Sequence, residues 1–348
     1  MNMKRISIAF IAAAAAALMA GCGKVPATGI NESQKREWDA WLSVQQKEHP
    51  EYLWKKTNLG SYILEDDNAG TTYLAKAEEA PFILVEFTER ELDGTVLSST
   101  SESLAKQLGT YDERYYYGPL IWHRGSESFS SGLNELLSNI KLGQHIKAAM
   151  PGWIQSSERF DTEEEYLAKC EGTGGIIEMK VHKGFKNLLD AEADSLCRYL
   201  NKKYGSNLEP KDSVSYGCYY VQLAPPTSTE EIADGERQYI NYTGYNLAGQ
   251  AFDTTIKDTA KVYGLYDSSA DYEQVLINWA TDYKNMTMGD DEGELITGFK
   301  ACLIKMNKHE KGVGGFISEL GYQDQAQNGM IPAYSPLVFE FEMTDSPE

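Results

Sequence analysis

The sequence predicts an α+β protein made of two related units, each with one short helix against a mostly antiparallel sheet, and a helix that joins the units. Two observations carry this prediction. The sequence repeats itself over most of its length, and each copy contains several β-type segments but only one strongly helical segment. A chain of 348 residues with 42% hydrophobic residues has enough apolar material for two domains of ordinary size.

The N-terminal segment, residues 1–21, resembles a bacterial lipoprotein signal peptide. Two basic residues precede an uncharged, mostly apolar stretch that is shorter than the ~20 residues of a membrane span. Residues 19–22 read Met-Ala-Gly-Cys, which is similar to a lipobox, although the pattern usually has leucine where Met19 stands. We expect acylation of Cys22 and a lipid anchor in the cell envelope, at the outer membrane because Gly23 is not aspartate. The alternative is a simple secretory signal with a chance cysteine.

Residues 22–57 are predicted to form a short polar leash and then an N-terminal helix. Cap-type residues stand at positions 31–33, and Trp38, Trp41 and Leu42 fall on one face of the segment that follows.

An internal repeat divides the rest of the chain. It defines a first unit over residues 58–186 and a second over residues 213–348, with an amphipathic connecting helix within residues 187–212. Three pairs of segments match in the same order: 60–63 with 217–220, 92–100 with 247–255, and 132–140 with 298–306.

Within each unit, a β strand and a glycine turn are followed by a long loop, one short helix and a closing strand. The helix is indicated by apolar residues at helical spacing, which are Leu133, Leu136, Leu137 and Ile140 in the first unit and Phe299, Leu303 and Met306 in the second. Residues 337–343 alternate between apolar and acidic side chains, which predicts a strand with one buried face.

Charge and composition exclude several classes of function. The net charge of −20 disfavours nucleic acid as a partner. The cysteines and histidines lack the spacing of a metal site, so no metal or cofactor is expected. Besides Cys22, four cysteines remain. They are either disulfide-bonded, with Cys197 and Cys218 as a plausible pair, or simply small buried residues.

In the second unit these elements resemble the FKBP-type peptidyl-prolyl cis-trans isomerases. The match runs over about 130 residues, and its five motifs, which stand in the family's order, are together far more specific than any one of them. They are Tyr242-Thr243-Gly244, the Gly-x-x-Phe-Asp turn at 249–253, Leu-Ile-Thr-Gly-Phe at 295–299, Ser-Glu-Leu-Gly-Tyr at 318–322, and Met-Ile-Pro at 330–332 with Leu-Val-Phe at 337–339.

The resemblance implies a sheet wrapped around the helix, with an aromatic pocket between them and no cofactor. It implies catalytic roles for Tyr242, Phe252, Asp253 and Tyr322, and substrate contacts for Ile296, Phe299, Ile331 and Phe339. Three departures stand out: Phe299 replaces the usual tryptophan, His309 stands where the helix normally ends in glycine, and the segment 256–297 is longer than usual. This long segment could form a lid or an additional partner surface.

The implied activity is isomerisation of prolyl bonds in proline-containing polypeptides, assisting the folding of envelope proteins. An X-Pro bond exchanges slowly, in roughly 10–100 s, because amide resonance opposes rotation. An apolar pocket favours the less dipolar, twisted transition state, so neither a nucleophile nor a general acid is required.

The first unit keeps the frame but not the implied pocket. Phe87, Leu97, Ser98, Ser130 and Leu133 occupy the positions of Tyr242, Phe252, Asp253, Ile296 and Phe299, and no counterpart of Phe339 is evident. We expect activity in the second unit only.

Two other functions remain open from the sequence. Both units could bind polypeptide without catalysis, as an envelope chaperone or assembly lipoprotein. A carbohydrate-binding surface would draw on Tyr115, Tyr116, Tyr117 and Trp122, although these aromatic residues are more consistent with packing inside the first unit. The sequence leaves the oligomeric state open.

Overall fold

Two antiparallel sheets dominate the computed structural model, which describes residues 30–67, 79–226 and 230–344. Cys22 and the predicted signal peptide lie outside the described residues. The first sheet contains β1 (Lys55–Lys56), β2 (Tyr62–Asp66), β3 (Phe82–Glu91), β4 (Val96–Ser99), β5 (Leu120–His123), β6 (His145–Met150) and β7 (Gly175–Phe185). The second contains β8 (Cys218–Ala224), β9 (Arg237–Tyr245), β10 (Ala251–Thr254), β11 (Val275–Asn278), β12 (Thr287–Met288), β13 (Gly293–Glu294), β14 (Lys311–Phe316) and β15 (Leu337–Thr344).

The two sheets share the topology of four of their strands. The first has the order β1-β2-β6-β7-β3-β4, and β5 also pairs with β3. The second has the order β13-β12-β11-β9-β15-β14-β8, and β10 also pairs with β9. Strands β2, β6, β7 and β3 therefore correspond to β8, β14, β15 and β9. This equivalence extends the sequence repeat to the fold and confirms the predicted α+β class.

Seven α helices are described, whereas the sequence predicts four: an N-terminal helix, a connecting helix and one helix in each unit. They are α1 (Ile30–Glu48), α2 (Glu102–Leu108), α3 (Ser131–Ser138), α4 (Glu163–Lys169), α5 (Leu188–Tyr204), α6 (Lys257–Val262) and α7 (Thr297–Leu303). The predicted helices are α1, α5 and the two unit helices α3 and α7, whose apolar faces are buried in the cores of their units. The other three, α2, α4 and α6, were missed because each buries a single residue and so lacks a set of apolar residues at helical spacing.

The long segment 256–297 is not the single loop that the sequence indicates. It contains α6 and the strands β11, β12 and β13, which extend the second sheet. Ile277, Trp279 and Met286 are 0%, 4% and 1% exposed in the core of the second unit. These buried residues make the segment part of the domain core, although Val262 and Tyr266 remain 78% and 44% exposed.

Helix α1 packs onto the first unit. Trp38 is 5% exposed, stacks on Trp41 at 5.3 Å between ring centroids, and meets Trp153 edge-on at 6.2 Å. The Trp41 Nε1–H also donates a hydrogen bond to the Leu92 carbonyl at 3.1 Å. The predicted helix with one apolar face is thus confirmed as an element, and that face is covered by the first unit.

The connecting helix α5 begins and ends where its sequence pattern predicts. Asn187 caps its first turn, and Gly205 ends it in the left-handed conformation. Leu196 and Leu200 are fully buried in a cluster that includes Val338 of β15. The helix therefore covers one face of the second sheet, whereas α7 covers the other.

The four described cysteines are all buried and unbonded, but their arrangement differs from the plausible Cys197–Cys218 pair. The neighbour of Cys218 is Cys302, with 3.0 Å between the two Sγ atoms. Within the described residues, no helix is both long and apolar enough to cross a membrane.

Candidate active site

Strands β9 and β10 position Tyr242 and Asp253 side by side. The turn between the strands places Gly249 at φ +84°, a conformation that suits glycine. A register shift between Ala251 and Asp253 forms a β-bulge, which leaves Phe252 as the extra residue and redirects the local side chains. The Tyr242 hydroxyl donates a hydrogen bond to Asp253 Oδ2 at 2.6 Å.

Phe299 of α7 and Phe339 of β15 form an aromatic floor beneath this pair. They are 3% and 4% exposed, and their rings meet edge to face with centroids 5.1 Å apart. Phe339 also contacts Phe252 at 5.5 Å, and Tyr242 contacts Phe299 at 5.4 Å, both edge to face. Such aromatic pairs contribute about 0.5–1.5 kcal/mol each beyond the area they bury.

Gly244 permits this close arrangement of rings. It pairs with Phe339 across the β9–β15 ladder. An ideal Cβ at this position would lie 2.6 Å from Phe252 and 2.8 Å from Phe339, closer than carbon atoms pack. The close packing of these two rings therefore requires glycine at the last position of the Tyr-Thr-Gly motif.

The segment after β14 supplies Tyr322 and Ile331. Tyr322 is half-buried and follows a 3₁₀ helix, Ser318–Leu320, whereas Ile331 is 4% exposed. Both pack with the aromatic floor in one apolar cluster, together with Ile296. The structure thus brings together all seven predicted apolar and aromatic site residues, and Asp253 joins them through Tyr242.

The two site tyrosines are held in their protonated form. Burial, followed by the nearby Asp253 carboxylate, raises the pKa of Tyr242 far above its ordinary value. The same two causes, in the same order, raise the pKa of Tyr322. Both hydroxyls consequently remain hydrogen-bond donors at any physiological pH, while the Asp253 side chain is exposed at the rim.

Ile296 occupies the N-cap of α7 and makes no side-chain cap. Its counterpart in the first unit, Ser130, caps α3 by accepting a hydrogen bond from the Leu133 N–H. A missing cap costs roughly 0.5–2 kcal/mol. The second unit gives up this stabilisation for an apolar side chain that packs with the floor.

Two aromatic residues of the floor were missed in the sequence. Phe316 stacks on Phe339 at 5.8 Å, and Phe341 meets Phe299 edge-on at 4.9 Å. The period-2 alternation of β15 places Phe341 on the same face as Phe339, so that pattern could have identified it. His309, by contrast, keeps the left-handed conformation of Gly143, its counterpart in the first unit, with φ values of +59° and +80°.

The first unit fills the equivalent space differently. Phe87 packs on Trp122, which packs on Phe129, at 4.9 Å and 5.2 Å between centroids. Leu97, the counterpart of Phe252, is 56% exposed. The pairing of β3 with β7 sets Ile177 opposite Glu89, the place that Phe339 holds opposite Gly244, so the counterpart missing from the sequence is an isoleucine.

The tyrosines considered for carbohydrate binding contribute to packing within and between the units. Tyr117 stacks on Tyr111 at 5.4 Å. The Tyr116 N–H donates to the Gly329 carbonyl at 2.9 Å, which ties the first unit to the segment that precedes Ile331. Within the described ranges, no group of three or more His, Cys, Asp or Glu residues is arranged to hold a metal ion.

One match to a known protein family lies in the second unit. The sequence model of the FKBP-type peptidyl-prolyl cis-trans isomerase family matches residues 228–344. No curated protein sequence matches the chain.

Two solved structures are similar to the chain. One contains the three FKBP domains of wheat FKBP73, at 12% identity and a TM-score of 0.26, covering 82% of this chain and 92% of the other. The second is a peptidyl-prolyl cis-trans isomerase from Pseudomonas syringae pv. tomato, at 17% identity and a TM-score of 0.30, covering 46% and 93%. On the family match, the second unit contains an FKBP-type peptidyl-prolyl cis-trans isomerase domain.

Proposed function

We propose that the chain catalyses cis-trans isomerisation of prolyl bonds through the second unit alone. The observation that carries this proposal is the hydrogen bond from Tyr242 to Asp253, set over the buried floor of Phe299 and Phe339. Neither the acidic partner nor the aromatic floor exists in the first unit, where Ser98 and Leu133 stand instead.

The arrangement suits the chemistry of amide rotation. The planar amide is the more dipolar state, and rotation removes the resonance that creates a barrier of about 18–20 kcal/mol. A proline ring placed on the Phe299–Phe339 floor would leave water, so the less polar twisted amide is favoured over the planar one. The Tyr322 hydroxyl is a donor for the substrate carbonyl at the rim. The Tyr242–Asp253 bond fixes the wall against which the peptide rests.

A matched pair of substitutions in the full chain tests where catalysis takes place. Asp253→Ala removes a charge-assisted hydrogen bond, which is worth about 1.5–3 kcal/mol, so kcat/KM should fall by about 10- to 100-fold. Ser98→Ala changes the corresponding residue of the first unit and should leave the rate unchanged. Rates are measured with a short peptide that has an aliphatic residue before proline. Equal rates for wild type and Asp253→Ala would refute the assignment.

The first unit supports a second candidate activity. It retains the four strands that the two sheets share and a hydrophobic core without the pocket residues, which fits a polypeptide-binding module. Asp253→Ala separates the two activities. If the chain acts mainly as a chaperone, the variant should still suppress aggregation of an unfolded, proline-free client as well as wild type does.

We also propose that the mature chain acts in the cell envelope, anchored through acylated Cys22. The support is the sequence of residues 19–22 and the apolar stretch before it. Labelling of cells with a radioactive fatty acid should mark the wild-type chain and leave Cys22→Ser unmarked. Equal labelling of both would exclude the anchor.

A further inference from the structure

Glu192, in the connecting helix, is a buried carboxyl group that reaches the second unit. Its side chain is 4% exposed, and its two oxygens accept hydrogen bonds from the N–H and the hydroxyl of Ser318, each at 2.7 Å. Among the described residues, no lysine, arginine or histidine forms an ion pair with it. Burying a carboxyl group without a cation is expensive, so an apolar residue would dock the helix at lower cost.

The docking of α5 does not depend on this carboxyl group. Leu196 and Leu200, one and two turns further along the helix, are fully buried against the second sheet. The Glu192 carboxyl group instead accepts hydrogen bonds from a single residue, Ser318, which is itself 3% exposed.

Ser318 organises the turn that carries Tyr322. Its carbonyl accepts hydrogen bonds from the N–H groups of Gly321 and Gln323, both at 2.9 Å, and these two residues flank Tyr322 in the chain. Ser318 therefore donates two hydrogen bonds to Glu192, while the Ser318 carbonyl accepts the two hydrogen bonds that close the turn. A change at Glu192 is therefore transmitted through one residue to the tyrosine at the rim of the site.

We infer that Glu192 is a positioning residue of the isomerase, which fixes Tyr322 in place through Ser318. The inference rests on the proposed function of the second unit. The connecting helix then contributes to the isomerase, although Glu192 lies outside the residues 228–344 that match the family.

Two substitutions at Glu192 distinguish the effect of its hydrogen bonds on catalysis from the effect of its charge. A glutamine can accept from the Ser318 N–H through its oxygen and donate to the Ser318 hydroxyl through its nitrogen, so Glu192→Gln should keep kcat within about twofold. Glu192→Leu leaves the Ser318 N–H unpaired and should lower kcat about tenfold with KM little changed. Asp194→Leu, an exposed position on the same helix, is the matched control and should behave as wild type.

A double-mutant cycle tests whether the effect passes through Tyr322. In a Tyr322→Phe background, Glu192→Leu should cause little further loss of kcat, because the hydroxyl that it positions is already absent. Full additivity of the two losses would overturn the inference, and so would wild-type kcat in Glu192→Leu.

Amide hydrogen exchange gives a readout that does not require activity. In Glu192→Leu, the amides of Gly321 and Gln323 should exchange at least tenfold faster, while the amides of β14 and β15 keep wild-type protection. If these amides exchange faster but the wild-type chain has no isomerase activity, the proposed isomerase function is refuted, whereas the link from Glu192 through Ser318 to the Tyr322 turn stands. Unchanged exchange at Gly321 and Gln323 would refute the link itself.

A second and independent observation concerns Cys218 of β8 and Cys302 of α7. Both are fully buried, and their Sγ atoms lie 3.0 Å apart. Their counterparts in the first unit are Ser61 and Leu136, so the juxtaposition belongs to the second unit alone. Cys302 lies on the helix that carries Phe299 of the aromatic floor.

We propose that Cys218 and Cys302 form a disulfide as the chain folds, an inference that rests on the envelope location proposed above. The two thiols exchange with the disulfide of a thiol–disulfide oxidoreductase. The new S–S bond forms as the two protein thiols lose two electrons and two protons, and the oxidoreductase is released as a dithiol.

The test uses full chain isolated without reductant from the oxidising compartment, then denatured and alkylated. Cys170 and Cys197 should be alkylated, whereas Cys218 and Cys302 should be recovered as one disulfide-linked peptide pair that reductant separates. Alkylation of all four cysteines, or a linked pair of different composition, would overturn the proposal.

Discussion

Replacing Glu192 by glutamine should change how the stability of the protein depends on pH. Burial, the largest cause, raises the pKa of Glu192 from an ordinary 4.5 to about 7, despite the opposing hydrogen bonds from Ser318. The unfolded chain ionises this group near pH 4.5, whereas the folded chain resists ionisation up to about pH 7. The favourable contribution is therefore complete below pH 4.5 and is lost as pH rises towards 7.

The size of the effect follows from the same values. Each pKa unit corresponds to about 1.4 kcal/mol, so the rise from 4.5 to about 7 corresponds to about 3 kcal/mol over the whole window. Glutamine is neutral at every pH and escapes this loss. Between about pH 5 and about pH 8, the free energy of unfolding of Glu192→Gln should increase by about 2–3 kcal/mol relative to wild type.

Urea unfolding of both proteins at these two pH values measures this difference directly. Glu319→Gln is the control, because Glu319 is exposed beside Ser318, and its effect should stay within about 0.5 kcal/mol. A difference between Glu192→Gln and wild type that does not change with pH would refute the reasoning, since it would mean that Glu192 ionises normally in the folded chain.

Three further substitutions test other parts of the account. Gly244→Ala should push Phe252 and Phe339 apart and lower the free energy of unfolding by about 1–3 kcal/mol, as measured by urea titration. Its kcat/KM should fall by more than this loss of stability explains. Tyr322→Phe keeps the ring but removes the donor, so kcat should fall about tenfold with an unchanged circular dichroism spectrum, and full activity would remove Tyr322 from the site. Trp38→Ala should cost the first unit about 3–5 kcal/mol, seen as an earlier calorimetric transition, without slowing isomerisation at 25 °C, since the two units have separate cores.

The order of elements could be predicted from the sequence because the chain contains an internal repeat. Two copies of one pattern, with their segments in the same order, revealed which segments are equivalent, and the apolar residues Leu189, Leu196 and Leu200 indicated the connecting helix. The site residues could be proposed as a set because five motifs follow one another in the order of a known family. None of these steps required knowledge of long-range contacts.

The rest depends on contacts that a single sequence does not encode locally. The counterpart of Phe339 is Ile177, and only the register of paired strands reveals it. Strands β12 and β13 have two residues each, too few for any alternation to show. The bond between Glu192 and Ser318 joins positions 126 residues apart, and it depends on how α5 lies against the second sheet.

Exchange spectroscopy by NMR tests the central claim most directly, because it observes the cis and trans forms of a proline peptide at equilibrium. Unaided exchange takes roughly 10–100 s. We predict that substoichiometric full-length chain brings the two forms into measurable exchange, with a rate that rises in proportion to the concentration of the chain. If the exchange stays at the unaided rate in the presence of demonstrably folded chain, the second unit is not a prolyl isomerase towards this peptide, and the account of its site is contradicted.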